Sequence, residues 1–264
     1  MDADPTLEIL REPRVYLVGR QEIDDAGLSR FLEDEGVRHW TTDTEEAGEK
    51  LVEIAGRLCY KSYAKPRPGG NSAYIGHILE VGHGSVLEHA VFNFIITGVS
   101  RSFTHELVRH RAGFGYSQLS QRFVDESKCA FIEPDPIADD PQLHGIWLEA
   151  ITASQKAYQA LAEGLVAKFS TIEDKTLRRK KAREAARSVL PNATETQIFV
   201  TGNARALRHF IEMRGDAAAD AEIRKVALAM LRILQAESPS LFGDYRLINL
   251  PEGGQAADTD HRKV

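Results

Sequence analysis

This 264-residue chain has few cysteines, no long apolar run and no excess of basic residues. Its two cysteines, Cys59 and Cys129, exclude a disulfide framework and a paired-cysteine metal site. Apolar runs stay well below the ~20 residues that cross a bilayer, and the opening MDADPTLEIL has no signal-peptide pattern. A net charge of −6 argues against a general nucleic-acid surface. We therefore expect a soluble cytoplasmic protein that binds neither a membrane nor a specific nucleic acid.

Common nucleotide and metal motifs are also missing. The chain has no GxxxxGK[ST] phosphate loop and no GxSxG elbow, and its two GxG pairs, at Gly82 and Gly113, lack the third glycine of a dinucleotide-binding turn. His105 and His110 resemble a zinc-binding HExxH, but their five-residue spacing turns them about 140° apart on a helix. We expect no metal at these histidines and no Rossmann or P-loop cofactor site.

Helical periodicity dominates the chain, and strands are few and separated. Apolar spacing of three and four residues predicts a helix from Glu45 and further helices over 74–81, 102–110, 143–169, 177–191, 203–213 and 217–236. β-Branched and aromatic runs predict strands at 14–18, 91–97 and 196–201, and the proline- and glycine-rich 65–71 predicts a loop. Because regular βαβ alternation is missing, we expect an α+β fold: a helix-rich single domain over 13–250 around a small mixed or antiparallel sheet. Residues 1–12 are predicted to be flexible, and 251–264 to form a polar, disordered tail.

The stretch 100–124 concentrates positive charge in an otherwise acidic chain, through Arg101, Arg109, Arg111 and Arg122. On a helix, the i, i+4, i+8 spacing of Arg101, His105 and Arg109 places them on one face. Clustered guanidinium groups repel one another, and they coexist where they bind phosphate, carboxylate or acidic side chains. The glycine-containing loop expected at 113–120 favours a ligand. A solvated helix face remains the alternative at this level.

Three further segments are polar where their flanks are apolar: 83–88, 187–203 and 205–214. A phosphate or pyrophosphate ligand would draw on arginines from several of them. Each segment alone also fits an ion pair or a cation near a helix C-terminus, as for His209 and Arg214. Their combination favours an anion-binding site.

Taken in chain order, these segments resemble the flavin-dependent thymidylate synthases. RHRAGFGYSQLSQR (109–122) is similar to the family signature, an RHR followed by a serine and an arginine. GHGSVLEHAVFNF (82–94), AARSVLPNATET (185–196) and TGNARALRHFIEMR (201–214) match the family in the same order, and the resemblance covers about 45–245. It implies methylation of dUMP to dTMP, with carbon from methylenetetrahydrofolate and reduction by NADPH through FAD. It also implies a homotetramer whose active sites lie between subunits.

The resemblance assigns roles to particular residues. It implies FAD contacts from His83, Ser85, Arg109, His110, Arg111, Gln118, Asn203, Arg205 and His209. It implies dUMP contacts from Glu106, Arg109, Gln118, Leu119, Ser120, Gln121, Arg122, Arg187 and Arg214. Arg214 is the implied catalytic residue, stabilising negative charge as the pyrimidine accepts hydride. No cysteine nucleophile is implied, because the reduced flavin carries out the difficult chemistry.

Two features depart from the family pattern. The segment 112–119, between the RHR and the serine, is one residue longer, and Ala218 stands where many members have histidine. An FAD- and dUMP-binding homologue with reduced activity is therefore an alternative. An RNA-binding protein is a less favoured one: the basic segment 177–187 suggests it but lacks interleaved aromatic residues for base stacking.

Overall fold

The computed structural model describes residues 7–65, 68–251 and 253–264. Its helices are α1 (Asp25–Asp34), α2 (Ala47–Tyr60), α3 (Gly70–Glu80), α4 (Arg101–Leu107), α5 (Asp135–Ala138), α6 (Pro141–Lys168), α7 (Lys175–Ala186), α8 (Ala204–Arg214), α9 (Ala221–Glu237) and α10 (Pro239–Phe242). Its strands are β1 (Ile9–Leu10), β2 (Arg14–Arg20), β3 (Val91–Ser100), β4 (Phe114–Gln118), β5 (Phe131–Ile132), β6 (Glu195–Asn203), β7 (Arg246–Asn249) and β8 (Gln255–Asp258). Short 3₁₀ helices occupy Gly84–His89, Glu126–Lys128 and Arg187–Val189.

The chain forms two compact units, each assembled from separate segments. The first unit comprises Met1–Arg14, Ile96–Val108 and Ser117–Ile198, and the second comprises Val15–Ile95, Arg109–Tyr116 and Phe199–Val264. A four-stranded sheet has the order β2-β3-β6-β4, β1 pairs parallel with β5, and β7 pairs antiparallel with β8. The predicted helix-rich α+β class with small sheets is confirmed. Within the described residues, no helix is both long and apolar enough to cross a membrane.

The core of the second unit lies where α8 packs on α9. Along α9, Ile223, Val226, Met230 and Leu234 are almost fully buried, as the three- and four-residue spacing predicts. Each such side chain contributes roughly 1.5–3 kcal/mol when removed from water. Asn203 begins α8 as predicted, since its side-chain oxygen accepts from the amide of Ala206 at 2.9 Å. Packing and capping together hold α8 in place.

In the first unit, the long helix α6 packs against α7. Tyr158 on α6 and Ala182 and Ala186 on α7 are fully buried. The small alanines allow the two helix backbones to approach closely, although most of α7 is basic and exposed. Asp174 begins α7 by accepting hydrogen bonds from two amides of its first turn. The predicted helix over 177–191 is thus confirmed in the main, and it ends at Ala186.

The cationic stretch folds differently from the prediction. Helix α4 begins at Arg101, with Ser100 as its N-cap, and ends at Leu107. Arg109 therefore lies beyond the helix, and the prediction of one helical face carrying Arg101, His105 and Arg109 is wrong. The expected loop over 113–120 is largely strand β4, whose residues alternate between half-buried and exposed. The pairing of β4 with β6 explains why this segment is a strand. The neighbouring strand supplies hydrogen-bond partners for its backbone groups, and the local sequence does not reveal that strand.

Both termini also differ from the prediction. Residues 1–6 lie outside the described residues, but Ile9–Leu10 form β1, beside which Arg11 forms a 2.7 Å ion pair with buried Glu133. The predicted disordered tail contains β8, in which Ala256 and Ala257 are buried. Hydrogen bonds to a partner strand order both segments despite their polar composition. Of the predicted loop 65–71, residues 66 and 67 lie outside the described residues, and Gly70 already begins α3.

A buried ion pair between Arg208 and Asp244 anchors the inner face of α8. Arg208, which is 2% exposed, donates to the two carboxylate oxygens of Asp244 at 2.6 and 2.8 Å and to the carbonyl of Leu241 at 2.7 Å. The hydroxyl of Tyr245 donates to the carbonyl of Arg208 at 2.8 Å. Burial alone would raise the pKa of Asp244, but the hydrogen bonds from Arg208 lower it below its ordinary value. The carboxylate therefore stays ionised at neutral pH.

We expect Asp244→Asn to lower the free energy of unfolding by about 3 kcal/mol, because it leaves the Arg208 charge buried without a partner. The exposed pair between Arg246 and Asp260 provides the control, and Asp260→Asn should have a much smaller effect, because solvent screens this pair. Because the pKa of Asp244 is lowered, its contribution is present above about pH 4 and is lost as pH falls further. Urea titration of both variants measures the difference, and equal losses would contradict the anchoring role.

Candidate functional site

A pocket of about 350 Å³ in the second unit brings together residues from two distant parts of the sequence. The segment after α4 contributes Arg109, His110 and Arg111, and α8 contributes His209 and Arg214. All five were predicted site residues. The rest of the lining is largely apolar: Ala112, Phe114, Ala206 and Met213. The pocket therefore presents several positive charges around an apolar floor, which suits a planar ligand with an anionic group.

His110 and Arg214 form the polar centre of this pocket. The Nε of Arg214 donates to Nε2 of His110 at 3.1 Å, so that ring nitrogen must carry a lone pair. Burial, followed by the charges of Arg214 and His209, lowers the pKa of His110 to about 4. The ring is therefore neutral at pH 7 and acts as an acceptor that orients the guanidinium. Phe210 supports the ring from beneath, edge to face at 5.2 Å between centroids.

Gly113 controls the approach of the signature loop to α8. Its φ of +75° lies in the left-handed region, and its carbonyl accepts from the amide of Asn203 at 3.1 Å. A Cβ at Gly113 would lie 2.7 Å from Nδ2 of Asn203 and 2.8 Å from Cβ of Ala206. At Gly115 the nearest such contact, to Thr201, is an ordinary 3.7 Å. Only Gly113 of these two glycines is therefore required by its surroundings.

A second group of predicted residues surrounds the 3₁₀ helix Gly84–His89. His83 and Ser85 are exposed there, and the ring of His83 stacks on Tyr60 at 5.7 Å between centroids. Arg205 forms a 2.6 Å ion pair with Glu88. A Cβ at Gly84 would lie 3.0 Å from Nε of Arg205, so the glycine permits this close approach. Arg205 is one turn from His209 on α8, which links this group to the pocket.

The remaining predicted residues lie in the first unit: Glu106, Gln118, Leu119, Ser120, Gln121, Arg122 and Arg187. Glu106 is on α4, and Gln118 ends β4. The side-chain amide of Gln118 donates to the hydroxyls of Thr104 at 3.0 Å and Thr196 at 3.3 Å, which fixes its orientation. Ser120 begins a turn in which its carbonyl accepts from two later amides.

Arg122 and Arg187 place positive charge beside the last turns of α7. Arg122 forms a 2.9 Å ion pair with Glu184, and Arg187 follows Glu184 by three residues, as the C-cap of the helix. Nε of Arg122 and Nε2 of Gln121 are buried without a hydrogen-bond partner. A buried donor left unpaired costs roughly 1–3 kcal/mol, so these atoms favour a ligand in this part of the first unit.

Sequence reasoning assigned no role to three aromatic residues that support the site. The ring of Tyr60 stacks on the ring of His83, and the ring of Phe114 stacks on that of Tyr116 with 5.7 Å between centroids. The hydroxyl of Tyr116 donates to the carbonyl of His110 at 2.7 Å, and burial raises the pKa of that hydroxyl. Phe114 and Tyr116 lie within the signature, where aromatic residues alternate with small ones. This alternation is the sequence pattern that could have predicted a strand with supporting aromatic side chains. Ala218 is exposed in a turn, where its amide donates to the side chain of Asp216 at 2.9 Å.

The fold and these residue sets define a helix-rich α+β protein with arginine-rich polar clusters. A sequence profile for the family described as thymidylate synthase complementing protein matches residues 41–240. Proteins described as flavin-dependent thymidylate synthases from Mycobacteroides abscessus and Mycolicibacterium gilvum are 53% and 52% identical over 220 residues, which cover 83% of this chain and 87% of each relative. The chain belongs to the thymidylate synthase complementing protein family.

A solved structure supports the same fold. The UMP/dUMP methylase PolB from Streptomyces cacaoi, bound with 5-Br UMP, superimposes with a TM-score of 0.66 at 24% identity. The match covers 90% of this chain and 96% of PolB. At this identity the likeness concerns the arrangement of helices and strands.

We expect Gly113→Ala to lower the free energy of unfolding by about 2 kcal/mol or more, because alanine is strained at positive φ and its Cβ would meet Asn203 and Ala206. Gly115→Ala is the matched control, and it should leave stability unchanged or raise it by roughly 0.5 kcal/mol. Thermal unfolding of the two variants compares them directly. A destabilised Gly115→Ala beside an unaffected Gly113→Ala would refute this account.

We also expect His110 to make the protein sensitive to acid. Its pKa is about 4 when folded and about 6.5 when unfolded, so the unfolded chain binds more protons between these values. The free energy of unfolding should therefore fall as pH drops from about 6.5 to 4, and this decline should be smaller in His110→Asn. His39→Asn, which removes an exposed imidazole, is the control. Identical declines in urea titrations of wild type and His110→Asn would contradict the prediction.

Proposed function

We propose that this protein catalyses the reductive methylation of dUMP to dTMP in the cytoplasm, with methylenetetrahydrofolate as carbon donor and NADPH as reductant through FAD. Membership of the family and relatives described as flavin-dependent thymidylate synthases support the proposal. The observation that carries it is the pocket that joins the RHR of the signature to His209 and Arg214. Those residues stand at the motif positions on which the resemblance rests.

The residues present fit an FAD molecule. Arg109 and Arg111 line the pocket and supply the positive charge that a pyrophosphate needs, while His209 and the apolar floor suit a planar ring. Arg205, which lies one turn from His209 on α8, belongs to the same proposed set. His83, Ser85, His110 and Asn203 complete the proposed set, together with Gln118. When bound, FAD supplies the hydride chemistry that the protein side chains lack. Asn203 also caps α8, so its side-chain oxygen has a structural role.

The first-unit residues and Arg214 suit dUMP. Arg122 and Arg187 provide charge for the phosphate, and the oriented amide of Gln118 can recognise a polar group of the nucleotide. Glu106, Leu119, Ser120 and Gln121 complete this proposed set. Because neutral His110 orients Arg214 without competing for its charge, the guanidinium can stabilise negative charge on the pyrimidine as hydride arrives.

We also propose the homotetramer typical of the family, in which active sites lie between subunits. Exposed apolar side chains on α6 support it: Leu143, Ile146 and Leu161 lie on the surface of the single chain. The exposure of Ile146 and Leu161 on the single chain fits burial of these side chains in an assembly. In that arrangement, each active site draws residues from more than one copy of the chain.

A homologue with reduced activity is the second candidate. Ala218 offers no polar side chain, and the longer 112–119 segment contains Gly113, whose φ is positive. If these differences limit the rate, Ala218→His combined with deletion of Gly115 should raise kcat severalfold. An unchanged kcat would show that they do not limit catalysis.

We expect the purified protein to show flavin absorbance that bleaches with NADPH, and to oxidise NADPH in a dUMP-dependent manner. Arg214→Gln should lower kcat about 10²–10³-fold while flavin absorbance persists, because it removes transition-state stabilisation. Arg179→Gln, an exposed position on α7, is the control and should leave kcat unchanged. Protein without flavin and without dUMP-dependent NADPH oxidation would refute the proposed function.

A further inference from the structure

The segment that follows β8, residues 259–264, is held at its beginning by the buried pair of Arg208 and Asp244. The hydroxyl of Thr259, a residue that is 4% exposed, donates to Oδ2 of Asp244 at 2.5 Å. The same hydroxyl accepts from the amide of His261 at 3.1 Å, and the carbonyl of His261 accepts from Nη2 of Arg208 at 3.3 Å. This part of the segment therefore shares the anchor that holds α8.

The end of the segment consists of Lys263 and Val264, which we call the tip, and it is held more weakly. The amide of Lys263 donates to Oε2 of Glu212 on α8 at 3.0 Å, in an exposed hydrogen bond. The φ of Lys263 is +63°, in the left-handed region, where a residue with a Cβ is strained. Because this strain opposes a single exposed hydrogen bond, the tip moves at a lower cost than Thr259 and His261.

The tip lies against residues of the proposed FAD set. A Cβ at Gly84 would lie 2.7 Å from the carbonyl carbon of Val264 and 3.0 Å from Nε of Arg205. Both atoms are thus within 3.0 Å of one point beside Gly84, and Val264 is only 8% exposed. His83 and Ser85, which belong with Arg205 to the proposed set, flank Gly84 in the chain. The tip therefore covers the backbone between two proposed FAD contacts and lies beside the guanidinium group of a third.

Arg205 lies on the face of α8 along which the segment runs. Arg205, Arg208 and Glu212 are spaced three and four residues apart, so they share one face of the helix. Gly215 continues this spacing, and its carbonyl accepts from the amide of Ala257 in β8 at 2.8 Å. The neighbouring face of α8 lines the pocket, through Ala206, His209 and Met213. Arg205 is therefore placed between the C-terminal segment and the pocket.

The tip limits the access of an anion to Arg205. One donor of this side chain, Nη1, already donates to Oε1 of Glu88 at 2.6 Å. A second donor, Nε, lies beside the backbone of Val264. A phosphate group is bound through such guanidinium donors. An anionic group that reaches Arg205 across Gly84 would therefore overlap the tip.

We propose, as an inference that rests on the proposed function, that the tip is an autoinhibitory contact. It occupies part of the place that an anionic group of FAD takes beside Arg205, and FAD binding displaces it. Thr259 and His261 stay bound to their anchor, so the motion is a hinge at Arg262 that breaks one exposed hydrogen bond and releases the positive φ of Lys263. The tip thereby lowers the apparent affinity for FAD, because only the open fraction of the protein binds.

The first experiment measures FAD affinity by the quenching of flavin fluorescence, with protein freed of bound flavin. Removal of Lys263 and Val264 should lower Kd about five- to tenfold, because the shortened chain is always open. Lys263→Gln is the matched control: it keeps the tip and removes only the side-chain charge, so it should bind FAD as wild type does. Glu212→Ala removes the acceptor of the Lys263 amide, and it should give part of the gain in the full chain and none in the shortened chain.

The second experiment follows the tip directly, by hydrogen exchange at residues 259–264 with and without FAD. FAD should speed the exchange of the Lys263 amide, because the hydrogen bond to Glu212 is broken. The amide of His261, which is bound to Thr259, should exchange at the same rate in both conditions. A segment that instead contacts bound FAD would be protected, so the sign of the change distinguishes the two arrangements.

Several outcomes would overturn the inference. If wild type binds FAD and the shortened chain binds it equally or more weakly, the tip does not compete with FAD. If Lys263→Gln gives the same gain as the shortened chain, the lysine charge causes the effect. If the shortened chain does not fold, exchange in wild type decides, and an Lys263 amide that FAD slows or leaves unchanged overturns the displacement. If neither chain binds FAD, the proposed function itself is refuted, whereas binding by the shortened chain alone supports the autoinhibitory contact.

Discussion

The buried ion pair between Arg208 and Asp244 is the constraint on which the site in the second unit depends. Arg208 lies on the inner face of α8, and the same helix carries Arg205, His209 and Arg214. Since a charge with several hydrogen bonds cannot leave its buried position cheaply, the pair fixes the rotation of α8 about its axis. The outward residues thereby keep constant directions toward the signature loop.

Unpaired buried atoms are concentrated in the first unit. Six buried side-chain nitrogen or oxygen atoms among the described residues lack a hydrogen-bond partner, and four of these belong to Arg101, Gln121, Arg122 and Glu126. The Arg208 anchor shows that this chain can satisfy a buried guanidinium group when structure requires it. The unpaired donors therefore mark a place whose partner comes from outside the chain, as expected of a binding site.

Burial sets opposite protonation states in the two units. It lowers the pKa of His110 and leaves that ring neutral, so Arg214 keeps its charge and gains a fixed acceptor. It raises the pKa of Glu126 to about 7, against the opposing charge of Arg101, so this carboxyl group changes charge near neutral pH. In both cases desolvation disfavours the charged form, and the nearby arginine decides how far. One physical effect thus produces a constant charge at one place and a variable charge at the other.

The sequence by itself determined most of the longer helices and the segments that carry the candidate site, because apolar periodicity is a local property. Tertiary structure alone decided that α4 ends at Leu107, that 114–118 forms a strand, and that Ile9–Leu10 and Gln255–Asp258 are ordered. Strand pairing needs a partner distant in the chain. The same holds for Arg101 and Glu126, whose coupling depends on burial by residues from several elements, and burial is not a local property.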